Sequence, residues 1–184
     1  MLSRKKNSLL LLCLLLTCCQ KADVIANPDN DGTGDDSEEA VTILGTGDGT
    51  KTCPYTVQDI RSSSLGNEEV WVIGYMVGTA PTSMNNATFS VNATNQSNIL
   101  LSYDSLCSDT AHCIPVELSS SKWKKSLSLP MNVTHFRKCL LVKGIPSRYL
   151  YNRKGLRSIS AGLWMDGFNI SSVSPDEWGS ITLQ

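Results

Sequence analysis

Histidine, phenylalanine and long apolar runs are all scarce in this 184-residue chain. His112 and His135 are the only histidines, and neither has a His, Cys or Asp neighbour at metal-ligand spacing. Both are expected to be incidental surface residues. The seven cysteines contain no Cys-x-x-Cys pair, which argues against a zinc site. No Gly-x-Ser-x-Gly elbow, His-Glu-x-x-His pair or phosphate-binding Gly-Lys-Ser/Thr loop is present. Paired carboxylates are missing as well: Asp104, Asp109 and Glu117 have no obvious acid–base partners. These absences point away from an enzyme and from any metal or cofactor.

One leucine-rich run exists, from Ser8 to Thr17. It is about half the roughly twenty residues that span a bilayer. Arg4, Lys5 and Lys6 precede it and polar residues follow, the layout of a secretory signal. Leu16-Thr17-Cys18-Cys19 resembles a bacterial lipobox. In that register residues 1–18 are a lipoprotein signal peptide, and Cys19 becomes the lipidated first residue of the mature chain. A cut before Cys18 is the alternative register. Several acyl chains on one cysteine give stable membrane anchoring, where a single chain is marginal. The expected location is the cell envelope, as an outer-membrane lipoprotein. Gln20-Lys21-Ala22-Asp23 loosely resembles the export signal of surface lipoproteins, so surface exposure is a further expectation.

Charge is unevenly spread. Between Ala22 and Glu69 there are eleven acids, and the only bases are Lys51 and Arg61. Between Ser119 and Met165 there are ten bases and no acid. Such a basic half attracts anions, or else it simply balances an acidic leader. Beyond the anchor, four cysteines remain: Cys53, Cys107, Cys113 and Cys139. They allow three full pairings, among which sequence does not choose. Cys107 and Cys113 enclose a short polar segment and are a candidate disulfide, which export would permit.

Residues 19–44 are too polar and acidic to bury a core and read as a flexible tether. Asn27, Asp29, Asp31, Gly32 and Glu38 match calcium-loop spacing, but Gly34 stands where an apolar residue belongs and no amphipathic helix flanks the segment. Residues 45–165 read as one domain and 166–184 as an extension lying on it. Within the domain a short helix is predicted over 57–62, and strands over 69–78, 98–103, 114–118, 139–145 and 156–165, with a short extra one at 88–92. Gly74 suggests a bulge or bend in the first long strand. Ser119, Ser120 or Ser121 caps a helix carrying Trp123 and Leu127 on one face, and Pro130 ends it.

The predicted fold class is mainly β. The order of three strands, a helix and two strands is that of an OB-fold, a five-stranded Greek-key barrel with one short helix between strands three and four. The entry Gly45-Thr46-Gly47 with Pro54-Tyr55-Thr56-Val57, the strand Trp71–Gly78, Cys113–Leu118, Val142-Lys143-Gly144, Tyr149 and Gly155–Ser158 are similar to an uncharacterised family of Bacteroidetes lipoproteins with an OB-like domain. The resemblance spans residues 45–165 and implies a fold; it implies no catalytic residues. The chain departs from it in the Asn/Thr-rich insert from Ala80 to Ser97 and at Cys107–His112.

OB-folds bind oligosaccharides or oligonucleotides through one face and its neighbouring loops. The candidate ligand residues are Arg148, Tyr149, Tyr151, Arg153 and Lys154, between the last two strands. On an extended backbone the two tyrosines would share a side and stack on sugars or bases, while the cations hold anionic groups. The bland reading is a hairpin whose tyrosines cover the barrel end. Trp71, Trp123 and Trp164 are expected to be packing residues. The expectation is therefore non-catalytic binding of an oligosaccharide or single-stranded nucleic acid by a membrane-anchored protein. The alternative is a structural or assembly role with an envelope protein partner and no small ligand.

Overall fold

The structure, a computed structural model, describes residues 47–62, 64 and 66–170. The signal peptide, Cys19, the tether with its calcium-like spacing and most of the C-terminal extension lie outside these residues. The elements are β1 (Tyr55–Thr56), α1 (Val57–Ser62), β2 (Val70–Gly78), β3 (Asn98–Ser102), β4 (Cys113–Glu117), α2 (Ser121–Leu127), β5 (Cys139–Tyr149) and β6 (Arg153–Met165). Among the described residues no helix is long and apolar enough to cross a membrane.

The strands form one mixed sheet in the order β1-β2-β3-β4-β6-β5, and β5 pairs back onto β2. Five strands thus make a ring, though not a clean barrel. On one side of β2, β1 runs parallel to Val72 and Ile73 before β3 takes over antiparallel from Tyr75. The β4–β6 side closes in parallel at the single pair Val116–Leu156.

β2 shows why the ring has two packed faces. Val72 and Met76 point into the interior, with Ile99, Leu101, Ile114, Val116, Leu140, Val142 and Leu156. Ile73, Tyr75 and Val77 alternate to the outer face, where they are also buried. A strand covered on both faces reads as continuous apolar sequence, as this one does. Gly74 stays in regular register with Leu140, and the irregularity against β3 falls between Met76 and Gly78. The bulge offered for Gly74 therefore falls further along the strand, between Met76 and Gly78. A Cβ at Gly74 would come within 2.9 Å of Val57 Cγ2 and 3.1 Å of Leu101 Cβ, so glycine here permits close approach of α1 and β3.

Local sequence explains the helices. Thr56 caps α1 by accepting from the Asp59 N–H (3.2 Å), and the Asp59 carboxylate accepts from the Thr56 N–H (2.7 Å), a reciprocal capping box. Of the three candidate serines, Ser120 is the cap and accepts from the Trp123 N–H, while Ser121 is the first residue of α2. Leu127 is buried in the interior and Trp123 packs against it from the same face. The helix stops at Leu127, and Pro130 sits in a following 3-10 turn, Leu129–Met131.

The insert between β2 and β3 is polar in composition yet packed. Met84, Ala87 and Phe89 lie against the outer face of the ring, and Ala93 reaches the interior. Only an isolated bridge, Thr79–Thr88, represents the extra strand expected at 88–92. Buried Asn98 fastens the insert: its Nδ2 donates to the Ala80 carbonyl (2.6 Å) and its Oδ1 accepts from the Ala80 N–H (2.9 Å). Phe168 and Ile170 pack on the same outer face. The Tyr75 hydroxyl donates to Asn169 Oδ1 and accepts from the Ile170 N–H, both at 2.8 Å. His135 is not an incidental surface residue. It is half-buried and stacks on Trp164, ring centres 4.2 Å apart.

Candidate functional site

β5 and β6 form a long hairpin. It pairs with β2 from Cys139 to Gly144, then leaves it and projects past β4. Gly155 permits that passage, because any Cβ there would collide with the Pro115 carbonyl. The Tyr149–Arg153 pair closes the hairpin, and the tip is Leu150-Tyr151-Asn152. All three tip residues are left-handed, with φ of 44°, 55° and 71°. Leu150 packs into the outer layer, whereas Tyr151 is 83% exposed. The backbone at the tip is thus curled rather than extended, and the tyrosines do not form an alternating pair.

The five expected ligand residues separate into two groups. Arg148 donates to the Asn152 carbonyl (2.9 Å) and braces its own hairpin. Tyr149 carries the Arg157 guanidinium 5.7 Å above its ring, and Arg157 makes a two-pronged contact with Glu117 (2.8 and 3.2 Å). Arg153, Lys154 and Tyr151, by contrast, border open concavities. A cavity of about 320 Å³ is lined by Arg153, Lys154, Asn152, Ala111, Cys113 and Arg61. A second, of about 530 Å³, lies between the tip (Leu150, Tyr151, Arg153) and Thr82–Asn86 of the β2–β3 insert. Arg153 borders both, and its Nη2 donates to the Thr110 carbonyl (2.9 Å). Among the described residues, no acid lines either cavity.

The basic half of the chain is only partly available to a ligand. Lys143 pairs with Glu69 at 2.7 Å and Lys138 with Asp166 at 3.2 Å. The Lys143 ammonium holds the Glu69 carboxyl below its ordinary range. Arg61 was not among the expected site residues. It comes from α1, about ninety positions from the hairpin in sequence, and its one signal was being a rare base in an acidic stretch. Asn85 carries no local signal beyond polarity, and Asn86 only the compositional Asn-x-Thr match Asn86-Ala87-Thr88.

Cys107 and Cys113 do come together, with sulfurs 3.8 Å apart as free thiols. Cys53 and Cys139 are buried in the outer layer, and burial pushes the Cys139 thiol up to about 12. Trp71, Trp123 and Trp164 all pack against core clusters. Among the described residues, no three His, Cys, Asp or Glu side chains gather in a way that could hold a metal.

The fold is therefore a mainly β, ring-closed domain with a cation-lined cleft at one hairpin tip. The family described as a domain of unknown function, DUF6359, matches residues 55–165, from the first residue of β1 to the last of β6. The chain belongs to that family. Comparison with curated proteins finds no match.

Proposed function

We propose that this domain is an OB-like module that binds an acidic oligosaccharide in the cleft beneath the β5–β6 tip. The ring order β2-β3-β4-β6-β5 and back to β2 follows OB-fold strand order, with β1 as an addition and α2 between the third and fourth ring strands. OB-folds use the loop between their first two strands and the loop between their last two to hold ligands. The observation that carries the reading is that those same two connections, Thr82–Asn86 and Leu150–Arg153, bound the larger cavity. Arg153 joins it to the smaller one, where Arg61 and Lys154 add positive charge. A carboxylate or sulfate group suits the cations. Hydroxyl and amide side chains with one exposed ring, Tyr151, suit a sugar.

A nucleic acid fits less well. Strand-binding grooves stack successive bases on several aromatics, and the second ring here, Tyr149, lies against Arg157. The anchor reading joins this one: Cys19 lipidation would hold the domain at the envelope, outside the cytoplasm, where glycans are found. Mass spectrometry of the membrane fraction tests it, and a mature terminus starting beyond Cys19 would refute it.

The binding test is a glycan array and a single-stranded DNA titration on the full chain, repeated with Tyr151→Ala and Arg153→Ala. Acidic glycans should bind. Loss of one charge-assisted contact at Arg153 should weaken them by about tenfold or more. Equal affinity in both variants, or tighter binding to DNA than to any glycan, would refute the proposal. A stable envelope protein partner recovered without glycan binding would favour the assembly role instead.

A further inference from the structure

Cys107 and Cys113 are the only close sulfur pair among the described residues, 3.8 Å apart across a turn of five intervening residues. Their surroundings converge on that turn. Both thiols point at the Asp109 carbonyl, each at 3.3 Å. The Asp109 side chain caps the turn by accepting from the Ala111 N–H. Thr110 within it accepts from Arg153, and Cys113 itself lines the smaller cationic cavity. Cys107 is half-buried and reachable, whereas Cys113 is buried.

We propose that Cys107 and Cys113 form a reversible disulfide that locks the 107–113 turn on the rim of the cationic cavity. The step is thiol–disulfide exchange with a small disulfide oxidant such as oxidised glutathione. The Cys107 thiolate attacks one glutathione sulfur, giving a mixed disulfide and releasing one glutathione thiolate. Held 3.8 Å away, the Cys113 sulfur then attacks the Cys107 sulfur, its proton passing to the departing glutathione thiolate, which closes the protein disulfide and releases the second glutathione. The protein loses two electrons and two protons; the oxidant becomes two molecules of reduced glutathione. Cys107 is the entry sulfur because Cys113 is shielded, and burial together with neighbouring Cys107 pushes the Cys113 thiol far up. The closed bond fixes the Thr110 carbonyl that holds Arg153, so one wall of the cavity becomes rigid. The disulfide forms whether or not a glycan occupies the cavity.

Trypsin offers a clean test. Arg61 and Lys122 are successive basic residues, so peptide 62–122 contains Cys107 and Cys113 and no other cysteine. The full chain is incubated with oxidised glutathione, denatured, alkylated and digested. The expected peptide is unalkylated and two hydrogens lighter than its reduced form, and dithiothreitol reverses the shift. Cys113→Ser should trap glutathione on Cys107, while Cys107→Ser should leave Cys113 unmodified over the same time. Two alkylated cysteines in the wild-type peptide, or a cross-link from Cys107 to the Cys53 or Cys139 peptide, would overturn the proposal. Glutathionylation of Cys113 in Cys107→Ser as fast as of Cys107 in Cys113→Ser would overturn the order of attack.

Discussion

Replacing Tyr151 by glycine should stabilise the domain and, under the binding proposal, weaken acidic-glycan binding. Tyr151 sits at φ 55° between two other left-handed residues. An L-residue with a Cβ is disfavoured there by about 1–2 kcal/mol. Glycine removes that strain but returns about 0.5–1 kcal/mol through the greater freedom of the unfolded chain. Packing changes little, because the side chain is 83% exposed. The net expectation is a gain of about 0.5–1 kcal/mol, or a rise in Tm of about 2–5 °C for a domain of this size. Asn152→Gly should gain less, since asparagine tolerates the left-handed region. Leu150→Gly should lose stability, because Leu150 packs in the outer layer. Urea unfolding followed by tryptophan fluorescence, with thermal melts alongside, measures all three. Destabilisation of Tyr151→Gly by more than about 1 kcal/mol would refute the reasoning.

Two further outcomes follow from buried polar groups. Asn98→Leu removes both partners of the Ala80 backbone and should cost about 2–4 kcal/mol in urea unfolding. Faster proteolysis within 80–97 should accompany it. The Asp59 carboxyl is raised above its ordinary range by burial, against the opposing hydrogen bonds from Thr56 and Gly47. The folded state therefore holds that proton to higher pH than the unfolded chain does. Its contribution to stability is complete below the unfolded pKa and is lost as pH rises through the folded one. Unfolding free energies from acid to neutral pH should fall relative to those of Asp59→Asn; a difference that rises with pH would contradict the burial argument.

The sequence made much of the ring legible where strands are apolar and bounded by turn residues: β2, β3, β4 and the main part of β6 lie within a few residues of expectation. β5 runs longer than expected because Gly144 and Pro146 look like an ending. Past Gly144 it pairs only with β6, an edge position where proline is tolerated. The insert hid its packing because Met84, Phe89 and Ala93 are isolated apolar residues without a period. The hairpin residues were visible as a cluster of aromatics and cations. Their sorting was not, since it depends on which cation meets an acid across the sheet: Arg157 meets Glu117, while Arg153 faces the cavities. Arg61 enters the site through tertiary folding alone.

The cleft itself is tested most directly by titrating isotope-labelled full chain with a sulfated oligosaccharide and following backbone amide shifts. Saturable shifts are expected at Arg61, Asn85, Asn86, Tyr151, Arg153 and Lys154, weakening as salt is raised. Shifts confined to the α2 lysines Lys122, Lys124 and Lys125, or no saturable shifts at any salt concentration, would contradict the binding proposal.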